Sequence, residues 1–215
     1  MRCVFAVAAV AIAVPAFAGT VTGRVGLVDK PGRRADLSEV VVYLDDLKVK
    51  PRPATATMVM KGKAFSPHVV AIPVGGTVEF PNEDPIFHNA FSVSGDNRFD
   101  LALYKRPKSG AQTFLHPGVV KVYCNIHPQM SAVVVVRDNA YFTKVAPDGT
   151  FSVENVPGGK HMVKAWHERA GEAAVEVTVP DKGSVATALR LDATTYKREQ
   201  HKNKFGKDYS SDEKY

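Results

Sequence analysis

Disulfides are excluded as the organising force of this chain. It has two cysteines in 215 residues, and one of them, Cys3, lies in an N-terminal segment of export-signal character. Long apolar runs are also lacking. The longest, Val4 to Val14, has eleven residues, short of the roughly 20 that a transmembrane helix needs. Val133 to Val136 is of strand length, so no stable membrane insertion is expected. No segment holds a sustained 3.6-residue apolar period, which removes helical bundles and coiled coils. Charge of one sign is not abundant either: 28 Lys and Arg against 22 Asp and Glu give a formal net charge of +6. The basic residues do not gather on one expected face, so no nucleic acid partner is expected. So modest a charge serves solubility and is compatible with contact to an acidic protein or an anionic surface.

What the chain does have is a series of short runs rich in Val, Thr, Phe and Tyr, punctuated by Gly, Pro, Asn and Asp. This pattern predicts an all-β protein. Arg2, the Val4–Val14 run and Ala16-Phe17-Ala18 read as a signal peptide cleaved after Ala18, which directs the mature chain out of the cytoplasm. Strands are expected over residues 20–28 and 40–44, then over 56–60, 69–74, 77–80, 88–93, 119–123 and 132–137, and finally over 150–153, 161–166, 172–179 and 185–191. Gly75-Gly76 is expected to form a tight turn. The alternation of His161 to Trp166 puts Met162, Lys164 and Trp166 on one face, with Trp166 expected in a core. Residues 194–215 are polar and charge-rich, without an apolar face, and are expected to be disordered.

Cys124 is the one cysteine that survives signal removal. It sits in Cys124-Asn125-Ile126-His127-Pro128-Gln129-Met130, a C-x2-H-x2-M spacing that ends an expected strand. A thiolate, an imidazole and a thioether in one loop are the side-chain types of a mononuclear electron-transfer copper site, which needs a second imidazole. Of seven histidines, His88 is best placed, because it follows the loop Asn82 to Phe87 at the end of another expected strand. The metal candidates are therefore His88, Cys124, His127 and Met130. Other readings of Cys124 are a buried packing residue, a nucleophile or a zinc ligand. A thioether is a poor zinc ligand, and no acid partner or oxyanion-binding motif accompanies the thiol.

These residues carry a resemblance. Phe65-Ser66-Pro67, Val74 to Asp84 and His88-Asn89, together with Tyr123 to Met130, resemble the plastocyanin- and amicyanin-type cupredoxins over residues 56–137. The short gap between His127 and Met130 is closer to amicyanin. The resemblance implies a Greek-key β-sandwich and one type 1 copper ion on all four candidates. It also implies that Asn89 ties the two ligand loops together. Thr20 to Val25, Val40 to Leu44 and Ala146 to Gly159 are similar to a carboxypeptidase-regulatory-like, transthyretin-like sandwich. The expected organisation is thus a signal peptide over 1–18, flanking strands over 19–50, a cupredoxin domain over 51–139, the rest of the flanking sandwich over 140–193, and the tail. The arrangement is similar to cupredoxin-containing proteins called methylamine-utilisation-like. The function implied is single-electron transfer in the periplasm, without enzymatic activity. A c-type cytochrome or a periplasmic dehydrogenase is the partner expected. The alternatives are copper delivery or storage without redox cycling, and a structural or adhesive protein with a vestigial site. Pro85, Ile86, Phe87, Ile126 and Pro128 are expected to form an apolar rim at the site.

Overall fold

A computed structural model of the protein describes residues 18–32, 36–197 and 200–209. Except for Ala18, the expected signal peptide lies outside the described residues. The chain opens with β1 (Ala18–Val28) and β2 (Val41–Leu44). Its middle contributes β3 (Thr55–Thr57), β4 (Val59–Lys61), β5 (Ala64–Ser66), β6 (Val69–Pro73) and β7 (Thr77–Pro81). There follow β8 (Phe91–Ser92), β9 (Phe99–Asp100), β10 (Ser109–Thr113), β11 (Gly118–Tyr123) and β12 (Ser131–Arg137). Last come β13 (Phe142–Lys144), β14 (Thr150–Pro157), β15 (Gly159–His167), β16 (Gly171–Val179) and β17 (Ser184–Asp192). Helical structure among the described residues is confined to two single 3-10 turns, Leu37–Glu39 and Gly95–Asn97. The all-β class read from the sequence is the class of the fold.

The middle strands make one sandwich. The sheet β10-β7-β3 covers the sheet β6-β12-β11-β8-β9. Between them lie Val78 and Phe80 of β7, Val120 and Val122 of β11, and Val134 and Val136 of β12. The β4-β5 ribbon adds Met60 and Phe65. Met58 and Met60 are both fully buried here, so packing accounts for them. Phe80 meets Phe65 edge-on at 6.3 Å, and Phe99 meets Phe114 the same way at 5.7 Å, the favoured aromatic geometry. Gly75 makes the expected turn into β7 at φ +80°, a conformation most side chains disfavour.

The strands before and after this unit make a second sandwich, with sheets β14-β1-β17 and β13-β2-β15-β16. β1 runs antiparallel to β14 and parallel to β17. Its core holds Val21, Val42, Leu44, Phe151, Val163 and Leu191.

A third apolar cluster joins the two sandwiches back to back: Val41 and Tyr43 of β2 meet Val69 of β6 and Val133 and Val135 of β12. This seam explains two sequence runs that lack alternation. In β12, Ala132, Val134 and Val136 enter the first core while Val133 and Val135 enter the seam. In β2, Val42 and Leu44 enter the second core while Val41 and Tyr43 enter the seam. A strand buried on both faces has no polar side to alternate with.

Two expectations change. On β15, Val163 and Ala165 are buried whereas Met162, Lys164 and Trp166 share the other face. That face is the seam side, so Trp166 packs against the joining cluster instead of filling the sandwich core. In the tail, residues 200–209 have defined contacts with residues 100 and 123–128. They are held by backbone hydrogen bonds and aromatic faces, so they need no apolar stripe.

Gly23 tests the central strand. It lies opposite Phe151 on one side and Thr187 on the other, and an added Cβ would overlap the Thr187 carbonyl and the Phe151 ring. Gly23→Ala should lower the free energy of unfolding by about 1–3 kcal/mol, as overpacking does, read from chemical denaturation. A loss below 0.5 kcal/mol, roughly the scatter of neutral surface changes, would show that the strands can separate at little cost.

Candidate metal centre

Two loops at one end of the first sandwich build the site. The second loop joins β11 to β12, whose pairing runs to Tyr123 opposite Ser131. Cys124 therefore leaves the sheet at the point where its partner strand begins. Inside the loop the Met130 N–H donates to the His127 carbonyl at 3.0 Å and the Cys124 N–H to the Met130 carbonyl at 3.3 Å. The first loop follows β7. The buried Asn82 side chain donates to the Ile86 and Tyr104 carbonyls at 3.0 and 2.8 Å. His88 and Tyr104 exchange two backbone hydrogen bonds of 2.9 Å. The Tyr104 hydroxyl donates to the Phe80 carbonyl at 2.6 Å, and its burial raises its pKa to about 12.

These loops bring three donor side chains together. Nδ1 of His88 is 3.0 Å from Nδ1 of His127, and that nitrogen is 3.6 Å from Sγ of Cys124. The ligand atoms of His88, Cys124 and His127 all lie within 4.8 Å of one another. Metal–nitrogen and metal–sulfur bonds of about 2.0–2.3 Å span such separations. His88 and Cys124 are fully buried and His127 is 8 % exposed. Met130, the fourth candidate, is fully buried in the same apolar cluster as Cys124.

The surrounding groups orient these donors. Nε2 of His88 lies 2.8 Å from Oδ2 of Asp84. A carboxylate only accepts, so Nε2 carries the proton and Nδ1 turns a lone pair towards His127 and Cys124. Asp84 is held in turn by the N–H groups of Gly62 and Lys63 at 2.9 and 3.0 Å. Burial opposes its charge, but these N–H bonds and His88 outweigh that and bring its pKa down to about 2. Asn89 links the loops as the resemblance implied: its Oδ1 accepts from the Asn125 N–H at 2.7 Å, and its Nδ2 donates to Asp100 at 3.1 Å.

Electrostatics fit a cation. Burial, and next the neighbouring His88, depress the pKa of His127 to about 4, so its imidazole is neutral and able to ligate at neutral pH. Burial pushes the Cys124 thiol up, against the opposing pull of the Asn89, Ile126 and His127 N–H groups. A buried thiol of this kind becomes a thiolate by exchanging its proton for a metal ion. Two imidazoles and a thiol are a soft, nitrogen–sulfur donor set, suited to copper more than to magnesium or calcium.

Of the expected rim, Pro85, Phe87 and Pro128 are exposed and Ile86 and Ile126 half-buried. Sequence reasoning passed over Asp84. Its signal was a carboxylate four residues before a candidate ligand, in a loop already rich in turn formers. Three further histidines, His68, His161 and His167, are no part of this cluster. They lie apart from the centre and face Glu168, Asp46 and Glu39 respectively.

No family model and no curated protein matches the chain. Solved structures do. A copper-containing nitrite reductase from Thermus scotoductus SA-01 is 32% identical over 43% of this chain and 24% of its own, with a TM-score of 0.37. The chain thus spans about a quarter of that enzyme's length. A purple cupredoxin from Nitrosopumilus maritimus is 27% identical over 38% of this chain and 98% of its own, with a TM-score of 0.34. A reduced mutant of amicyanin is 23% identical over 39% and 82%, with a TM-score of 0.37.

Two outcomes follow for the site. The unfolded chain protonates His127 near pH 6.5, whereas the folded one does so only near pH 4. Between those values the unfolded state binds more protons, so the contribution of this residue to stability is complete above 6.5 and declines as pH falls to 4. Denaturation of the metal-free protein and of a His127→Gln variant should show that slope in the first and its reduction in the second. Asp84→Asn should weaken metal binding by about 10- to 100-fold, as loss of a histidine-orienting carboxylate does, measured by competition with a chelator. Unchanged affinity would mean that the orientation of His88 is set by the loop alone.

Proposed function

We propose that the protein is a periplasmic electron carrier with one type 1 copper centre, held by His88, Cys124, His127 and Met130, and with no catalysis of its own. The observation that carries this reading is the buried meeting of two imidazole Nδ1 atoms and one cysteine sulfur within 4.8 Å. The four side chains would hold a copper ion, which would supply a one-electron couple. The chain's own residues do the rest. Asp84 holds His88 with its lone pair inward, Asn89 keeps the two loops in register, and the apolar cluster around Cys124 and Met130 excludes water. His127 is the one nitrogen ligand with any solvent exposure, so its edge is the natural exit for an electron. Exposed Pro128, next to His127, and exposed Phe87, next to His88 in the chain, suit the small, transient interfaces of redox encounters, with a c-type cytochrome or periplasmic dehydrogenase as partner.

In this reading the signal peptide is removed after Ala18. Residues 51–139 are the copper-binding unit. Residues 19–50 and 140–193 form one carboxypeptidase-regulatory-like sandwich, which the pairing of β1 with β14 and β17 supports. The residues described contain no helix long and apolar enough to cross a membrane.

Adding one equivalent of Cu(II) to the purified protein should give an intense visible thiolate-to-copper band and a narrow copper hyperfine splitting in the EPR spectrum. Cys124→Ser should abolish both. A band that survives this substitution would overturn the assignment. Reversible voltammetry separates electron transfer from storage or delivery, since a carrier cycles between oxidation states without losing the ion.

A further inference from the structure

The segment 200–209 makes its own compact turn. Oδ1 of Asn203 accepts from the Phe205 and Lys207 N–H groups at 3.0 and 3.1 Å, and Gly206 closes the turn at φ +73°. From this turn several groups reach the ligand loop. The ring of His201 stacks on Tyr123, with centroids 4.0 Å apart and planes 19° from parallel. Its Nε2 is 2.8 Å from the Pro128 carbonyl, which only accepts, so Nε2–H is the donor. The Tyr209 hydroxyl donates to the Cys124 carbonyl at 2.9 Å and lies 3.1 Å from Nδ1 of His201. The Lys204 N–H donates to Oδ1 of Asn125 at 3.0 Å.

The contacts also close a circuit through the first loop. Nζ of Lys204 pairs with Asp100 at 2.5 Å. Asp100 accepts from Asn89, and Asn89 accepts from the Asn125 N–H. Asn125 then returns to Lys204. The segment thus bonds to the carbonyls of Cys124 and Pro128, which bracket the ligand His127, and to the side chain of Asn125 between them.

We infer that residues 200–209 are a strap belonging to the metal centre, which positions the ligand loop through His201 and Tyr209. Without it the outer side of residues 124–128 would have only solvent to satisfy those carbonyls, and the loop would open more often. Opening carries His127 away from His88, so the strap slows metal loss.

The test uses the full chain with His201→Ala and Tyr209→Phe combined. In the metal-free protein, hydrogen exchange at the Cys124, Met130 and Lys204 amides should rise about tenfold, the scale of two lost hydrogen bonds. Exchange at Val163 and Ala165 in β15 should not change. His201→Gln, whose side-chain amide can still donate to the Pro128 carbonyl, should restore protection where His201→Ala does not. In the copper-loaded protein the paired substitution should speed transfer of Cu(I) to a chelator by a similar factor, a readout that rests on the copper assignment. Loop exchange that stays at the wild-type rate overturns the strap, and so does an equal rise in β15. Should the amides respond as expected while copper fails to bind, the strap stands and the copper assignment falls.

Discussion

The pairing of β11 with β12 is the constraint on which the rest depends. β12 is buried on both faces, so its register is fixed twice, once by the first core and once by the seam. A one-residue slip would exchange Val133 and Val135 with Val134 and Val136 between the two environments. It would also break the Tyr123–Ser131 pair that closes the ligand loop. The second sandwich therefore supports the site at a distance. By packing on the back of β12 it fixes the strand from which the loop returns.

Burial sets the chemistry of the site and also its costs. A dry pocket keeps the His127 imidazole neutral and disfavours a free Cys124 thiolate, and polar groups taken out of water must find partners. Each of those partners does structural work. Asp84 satisfies His88 and selects its tautomer. Asn89 satisfies the Asn125 N–H and joins the loops. The segment 200–209 satisfies the outer carbonyls. The result is a donor set whose orientation is held from three sides.

Much of this was legible in the chain. The period-two runs and the Gly75-Gly76 turn marked the strands, because alternation and turn chemistry are local properties. The C-x2-H-x2-M spacing put Cys124, His127 and Met130 in one loop, since seven residues between paired strands cannot separate far. Trp166 was misplaced because alternation tells that a face exists and not what covers it. The segment 200–209 was misread because polar composition hides contacts made by carbonyl groups and ring faces.

The sequence by itself determined the all-β class, the loop carrying three candidate ligands and the presence of a single thiol in the described chain. These follow from residue type and short-range spacing. Only the tertiary structure decided that Nδ1 of His88 faces that of His127, 39 positions away in the chain. It alone set Asp84 behind His88, joined the two sandwiches through β2 and β12, and laid Tyr209 on the Cys124 carbonyl, 85 positions away. Those arrangements depend on which faces pack together, and no local pattern in the chain encodes the partner of a face.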